Sequence, residues 1–329
     1  MTFRALVTHR DADGKVSSAV EALDDDRLPN GNVTVDIAWA GLNYKDGLCV
    51  TGAGGLVRNY PHVCGIDLAG TVRDSADPRY AAGQPVVLTG WRVGETHWGG
   101  FAERARVDAD WLVPLPEGLS PRDTMIVGTA GLTAMLAINA LEAQGVAPAS
   151  GEVLVTGAAG GVGSIATAML AKLGHTVVAL SGRPQQADAL KALGATSVLD
   201  RAEFLAQPDK PLESARWAGV VDCVGGPVLG KLLRQVKYGG AVAALGNAGG
   251  IGLETNVLPF ILRGVTLIGI DSVMQPFAAR VAAWQRLAGL FDVAAYGNMV
   301  REIGLEDVPA AAADILAGQV AGRTLVHPR

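Results

Sequence analysis

The stretch Val153-Leu154-Val155-Thr156-Gly157-Ala158-Ala159-Gly160-Gly161-Val162-Gly163-Ser164-Ile165-Ala166 joins a short apolar run to a glycine-rich turn and then to a helical pattern. The run Val153–Val155 reads as a fully buried strand, and Ala166, Met169, Leu170 and Leu173 recur at helical spacing. Gly157, Gly160 and Gly163 fall at intervals of three, a relaxed form of the dinucleotide-binding fingerprint. Glycines there let the backbone turn tightly and approach a pyrophosphate, while the helix that follows presents free N–H groups and its positive dipole end. Gly makes up 43 of the 329 residues, so the spacing alone is weak. The strand before it and the helix after it turn it into an expected dinucleotide site, with Gly160, Gly161, Val162 and Gly163 as its phosphate-facing residues.

A second apolar strand, Thr176–Leu180, ends in Ser181-Gly182-Arg183. An NAD site places Asp or Glu about 20 residues past the glycines, on the ribose hydroxyl. A carboxylate there repels a 2′-phosphate, whereas a guanidinium binds it in a forked, charge-assisted geometry. Ser181, Gly182 and Arg183 therefore predict NADPH rather than NADH. Arg201, after the strand that ends at Asp200, is placed against the adenine side of the same cofactor.

The composition sets the class. Apolar residues make up 49% and charged ones 18%, which suits a packed globule and excludes a disordered chain. A net charge of −5 without a basic run lacks the footprint of a nucleic-acid binder. Cys49, Cys64 and Cys223 form no C-x-x-C pair, so they read as core residues rather than as a disulfide framework or a zinc knuckle. None of the five histidines has a partner at metal-site spacing, and no G-x-S-x-G elbow occurs. The first residues start directly as a strand without a signal-peptide pattern, and no segment reaches about 18 uninterrupted apolar residues. A cytoplasmic enzyme is the expectation.

Residues 1–123 read as a β-rich, partly barrel-like domain, with strands at Phe3–Val7, Val33–Ala40, Leu68–Val72, Pro85–Leu88 and Phe101–Val107. Ser120 caps a helix that has Pro121 at its first position and spans Asp123–Gln144. Residues 124–270 alternate helix with apolar strand, which implies a doubly wound parallel sheet, a Rossmann fold in the α/β class. Ligands of such sheets sit at the carboxyl ends of the strands, here Asn247 after one strand and Ser272 after another. Residues 271–329 carry two helices and a last strand that must pair with a sheet, so they are expected to return to the first domain.

With these pieces placed, the chain resembles the medium-chain dehydrogenase/reductase superfamily. The resemblance rests on Leu42-Asn43-Tyr44-Lys45-Asp46, Gly65-Ile66-Asp67-Leu68-Ala69-Gly70, Gly128-Thr129-Ala130-Gly131 and Ala158–Gly163. Arg58-Asn59-Tyr60-Pro61, Ser181-Gly182-Arg183 and Pro259-Phe260-Ile261-Leu262-Arg263 resemble the zinc-free quinone-oxidoreductase-like branch that includes NADPH-dependent acrylyl-CoA reductases. The resemblance implies a GroES-like catalytic domain beside the Rossmann domain, a cleft between them, and a homodimer. It adds Ile261 to the expected cofactor contacts and acryloyl-CoA as the expected small-molecule substrate, with no nucleic acid or membrane partner. A zinc-free quinone or enone reductase and a non-catalytic NADPH-binding homologue are the alternatives.

The zinc enzymes of that superfamily carry Gly-His-Glu where this chain has Gly65-Ile66-Asp67, and a Cys where the Asn-Tyr-Lys-Asp turn lies. No metal site is therefore expected. Tyr44 is the expected catalytic residue, as a shelf for the nicotinamide or as a proton donor. Lys45 either holds a carbonyl or phosphate or pairs with Asp46, and Asp67 anchors local structure.

Overall fold

The computed structural model describes residues 1–329, which divide into two compact units. The first comprises Met1–Thr129, Val273–Ala288 and Tyr296–Arg329, and the second Ala130–Ser272 with Gly289–Ala295.

The first unit opens with β1 (Thr2–Arg10), β2 (Val16–Asp24), β3 (Val33–Leu42), β4 (His62–Val63), β5 (Asp67–Ser75), β6 (Pro85–Thr89), β7 (Arg104–Val107) and β8 (Leu112–Pro114). β2, β1 and β4 form one small sheet. β3 is the centre of a larger one, paired antiparallel to both β5 and β7. Its alternating Val33, Val35 and Ile37 are fully buried with Leu68, Val86, Leu88 and Leu112, the pattern expected of a sheet with one face inward. Ser17, Glu21 and Asp24 interrupt β2, so it carries no continuous apolar run. Between β3 and β4 lies one helix, α1 (Tyr44–Thr51).

Helix α2 (Pro121–Ala143) starts as the sequence requires, with Pro121 first and Asp123 N–H donating to Ser120 Oγ at 3.2 Å. It is not one continuous helix, because Gly128 stands at φ 52° and breaks it. A Cβ at Gly128 would strike the Asp67 carboxylate and the Arg323 guanidinium, so only glycine fits the break. By length and hydropathy α2 passes for a membrane span, but 78% of its apolar window is buried inside the protein.

The second unit holds β9 (Val153–Thr156), α3 (Gly161–Lys172), β10 (Val177–Ser181), β11 (Ala195–Asp200), β12 (Trp217–Asp222), β13 (Val236–Ala244) and β14 (Thr266–Gly269). The sheet runs β11-β10-β9-β12-β13-β14, all pairs parallel. The strand order reverses between β9 and β12, and that switch point is where such sheets open a crevice for a ligand. β9, β10 and β12 are buried along their whole length, as strands covered by helices on both faces must be. The chain then ends in the first unit with β15 (Val300–Gly304) and β16 (Arg323–His327). β16 pairs antiparallel to β3 and parallel to β15, which gives the lone last strand its sheet.

Candidate active site

In the second unit, β9 passes through Gly157 (φ 59°) into the N-cap Gly160 and then α3. A Cβ at Gly163 would drive into the Gly157 carbonyl, so the helix lies against the turn only because this residue is glycine. α3 begins at Gly161, which leaves the N–H groups of Gly161, Val162 and Gly163 without intrahelical acceptors. Two strands carry the switch point. Thr156 at the end of β9 donates its hydroxyl to Asp222 Oδ1 at 2.6 Å, and Asp222 accepts from Gly225 N–H at 2.9 Å. Burial pushes the Asp222 carboxyl up, and these donors pull it back only in part. No motif marked this aspartate, because its partner lies 66 residues away.

At the end of β10 the Ser181 hydroxyl oxygen accepts from Arg183 N–H at 3.0 Å, which leaves its own proton to give outward. Arg183 Nη1 donates to Ala159 O at 3.4 Å, on the glycine turn. Arg201 lies over Gly182, where a Cβ would collide with its guanidinium. Two cations therefore converge on Ser181-Gly182. Burial, and then repulsion from Arg201, hold Arg183 below the usual arginine range. The nearby Asp200 carboxylate is occupied in capping the next helix, accepting from Ala202 and Glu203 N–H at 2.7 and 3.0 Å. Paired guanidiniums beside a Gly-made gap are the donor set for a phosphate monoester.

A groove of about 560 Å³ opens at the carboxyl ends of β13 and β14, lined by Ala244, Leu245, Gly246, Asn247, Gly269, Ile270 and Asp271. Asn247 is among its lining residues, and Ser272 follows Asp271 in sequence, accepting from the Thr133 hydroxyl at 2.8 Å. Ile261 stands 68% exposed on the helix Leu258–Arg263, outside the groove lining.

In the first unit, Leu42–Asp46 is the end of β3 and the start of α1 rather than a free turn. Asn43 caps the helix, and its N–H donates to Asp46 Oδ2 at 2.8 Å. That bond fixes Tyr44 as the first helical residue, 41% exposed. Lys45 does not pair with Asp46. Its Nζ reaches Glu95 Oε1 at 2.9 Å, because Asp46 is turned inward to accept from Ile66 N–H at 2.8 Å. Asp67 accepts from Asn43 Nδ2 (2.9 Å), Thr129 N–H (2.9 Å) and the Thr129 hydroxyl (2.5 Å), with Arg323 at 3.6 Å. Arg323 also donates to Asn43 Oδ1 at 2.9 Å and Ile126 O at 2.9 Å. Asp67 thus anchors structure, and the network around it holds Asn43, the residue before Tyr44.

Cys49 and Cys64, distant in sequence, share one core cluster. The Cys49 thiol is pushed far up by its hydrogen bond with Cys64 and then by burial, so it is no nucleophile at neutral pH. No group of three or more His, Cys, Asp or Glu side chains converges as a metal-ligand set.

With this geometry in place, comparison with known proteins identifies its relatives. Residues 29–117 match the alcohol dehydrogenase GroES-like domain, and residues 161–288 match the zinc-binding dehydrogenase model. The chain is 57% identical over 325 residues to the acrylyl-CoA reductase AcuI of Ruegeria pomeroyi, covering 98% of both chains. The solved yhdH oxidoreductase from Salmonella enterica in complex with NADP is 54% identical, covers 100% of both chains and superposes with a TM-score of 0.96. The solved Escherichia coli K-12 YhdH with bound NADPH is 55% identical, with 98% and 99% coverage and a TM-score of 0.95.

Proposed function

Because the chain belongs to the medium-chain dehydrogenase/reductase superfamily, we propose that its two units carry out one reaction, the NADPH-dependent reduction of acryloyl-CoA to propanoyl-CoA. The 57% identity over 98% of both chains with an acrylyl-CoA reductase carries this reading. The residues of the second unit fit the cofactor. The N–H groups opening α3 would meet its pyrophosphate, and Ser181, Arg183 and Arg201 would take its 2′-phosphate. When bound, NADPH supplies the hydride that adds to the β-carbon of the double bond.

Tyr44 is the residue assigned to that chemistry. Its phenol is exposed at a helix start whose capping bonds hold it in place. The thioester oxygen gains negative charge as the β-carbon accepts hydride, and fixed hydrogen-bond donors around it supply most of the stabilisation. The α-carbon then takes a proton from the Tyr44 hydroxyl or from water.

Zinc has no part in this reading. Ile66 offers no ligand atom, Asp67 is committed to Asn43, Thr129 and Arg323, and the Cys49 thiol stays protonated. The zinc-binding label of the matched family model does not extend to these donors. The assembly is a homodimer paired through β14, the apolar edge strand of its sheet, near exposed Val257, Ile261 and Leu262. Its three free thiols, two of them buried, suit the cytoplasm.

Purified protein exhaustively treated with chelator should oxidise NADPH with acryloyl-CoA and yield propanoyl-CoA. Turnover on quinones or free enones without turnover on acryloyl-CoA would replace this function. Loss of activity on chelation, restored by zinc, would replace the metal-free mechanism.

A further inference from the structure

Trp91 and Arg92 are the only non-glycine residues in the left-handed region, at φ 56° and 57°, and they are adjacent. Side chains rarely adopt that conformation, and two in succession persist only where surrounding structure imposes them. The clamp is visible. Arg280, 1% exposed, donates through Nη1 to Thr89 O at 2.7 Å and through Nη2 to Val273 O at 3.0 Å. Its guanidinium lies 5.1 Å from the Trp91 ring centre, and Trp91 N–H donates to the same Val273 carbonyl at 2.9 Å.

The loop so held borders the candidate site. Glu95, one turn on, takes the Lys45 ammonium next to Tyr44, and Gly94 packs so closely on Gly65 that a Cβ would clash with its backbone. The Arg92 carbonyl accepts from Glu95 and Thr96 N–H at 3.1 and 3.0 Å, which closes the turn. Its side chain is exposed, and its guanidinium makes no hydrogen bond or ion pair within the chain. Lys45 has its charge matched by Glu95, so Arg92 is the cation this border presents to solvent.

We propose that Arg92 recognises a phosphate group of the acyl-CoA substrate, its side chain aimed by the strained Trp91–Arg92 backbone that Arg280 holds. This rests on the acryloyl-CoA reading above. The reacting acryloyl thioester is neutral, so the phosphates of the CoA handle are its only anionic part. A forked guanidinium matches a phosphate in two parallel bonds, and in a chain of net charge −5 such recognition has to be local.

The test compares wild type with Arg92→Gly, Arg92→Ala and Arg92→Lys on acryloyl-CoA and on acryloyl-pantetheine, which lacks the phosphates of the nucleotide. Glycine is at ease at this φ, so Arg92→Gly should keep or raise Tm. It should nevertheless raise KM for acryloyl-CoA about tenfold or more. KM for acryloyl-pantetheine and for NADPH should not move, and Arg92→Lys should recover part of the loss. An unchanged KM for acryloyl-CoA, an equal rise for both thioesters, or a rise for NADPH instead would overturn the assignment. If wild type does not reduce acryloyl-CoA, the functional reading falls and the assignment with it. Wild-type turnover with an indifferent Arg92→Gly removes Arg92 alone.

Discussion

Asp46 and Asp67 lie side by side in the first unit, both fully buried, and the Asn43 side-chain amide donates to each, at 3.3 and 2.9 Å. Their surroundings differ. Asp67 has Arg323 and both donors of Thr129, whereas Asp46 has only neutral donors, from Asn43 and Ile66. Two buried carboxylates this close repel each other when charged, and Asp46 is the one without a cation beside it.

Burial, helped by the negative charge of Asp67, pushes the Asp46 carboxyl up to about 7. In the unfolded chain it titrates near 3.8. Folding therefore takes up a proton between those values. The stability this contributes is fully present below the unfolded value and is lost as pH rises through about 7. Thermal unfolding should show stability falling between pH 4 and 7 by at most on the order of 4 kcal/mol from this group. Asp46→Asn cannot titrate and turns an NH₂ toward a backbone donor. It should be less stable than wild type at pH 5 and show a shallower slope, so that the two converge toward pH 8. Parallel curves would mean that Asp46 is ionised throughout.

How far the sequence led follows from what each element needs. The turn Gly157–Gly163 and the strands around it were legible because a buried parallel strand is a short apolar run and a tight turn needs glycine. The end of β10 at Ser181 was legible for a similar reason, since its apolar run stops there. The Asn43–Asp46–Asp67–Arg323 network was not. Arg323 reaches Asn43 across 280 residues, and only the pairing of β16 with β3 brings them together. Lys45 shows the same limit: its neighbour Asp46 was the nearer partner in sequence, but the helix turned that carboxylate inward and left Glu95, 50 residues on, as the partner. The left-handed pair Trp91–Arg92 carries no glycine to announce it.

The role proposed for Tyr44 divides into two testable parts. If its hydroxyl donates a proton or steadies the enolate, Tyr44→Phe should lower kcat by about 10²-fold or more and leave NADPH binding near normal. If its ring packs against the nicotinamide, Phe should be tolerated and Ala should weaken NADPH binding. The exposure of the ring at the start of a capped helix favours the second outcome, since solvent can itself protonate the carbon. Unchanged kinetics and NADPH binding in Tyr44→Ala would remove this residue from the site.

The edge strand β14 offers unpaired backbone groups beside half-buried Leu267 and Ile268. An apolar edge of this kind invites pairing or aggregation unless it is covered. Light scattering at micromolar concentration should give the mass of a dimer. Leu267→Lys or Ile268→Lys should give monomer or precipitate. A monomeric wild type would show that the edge is not an interface.

On the reading proposed above, Arg183 and Arg201 make cofactor choice a matter of charge. Each stands at the end of a strand or the start of a helix where its backbone is fixed; Arg201 reaches the gap left by Gly182, and Arg183 reaches the Ala159 carbonyl on the glycine turn. Held together, the two guanidiniums repel, and the repulsion, added to burial, already depresses Arg183. A dianionic 2′-phosphate relieves it, whereas a ribose hydroxyl does not. Losing a hydrogen bond to a charged group costs about 1.5–3 kcal/mol, which is roughly tenfold to a hundredfold in affinity. Arg183→Ala should therefore raise KM for NADPH by that factor and leave KM for NADH nearly unchanged. The difference should shrink as salt is raised, because the lost interaction is a charge pair near the surface. Gly182→Ala provides the complementary test: its methyl would push Arg201 aside, and NADPH binding should weaken although no charge has been removed. Equal losses for NADPH and NADH in Arg183→Ala would show that its guanidinium serves the turn through Ala159 and does not read the phosphate.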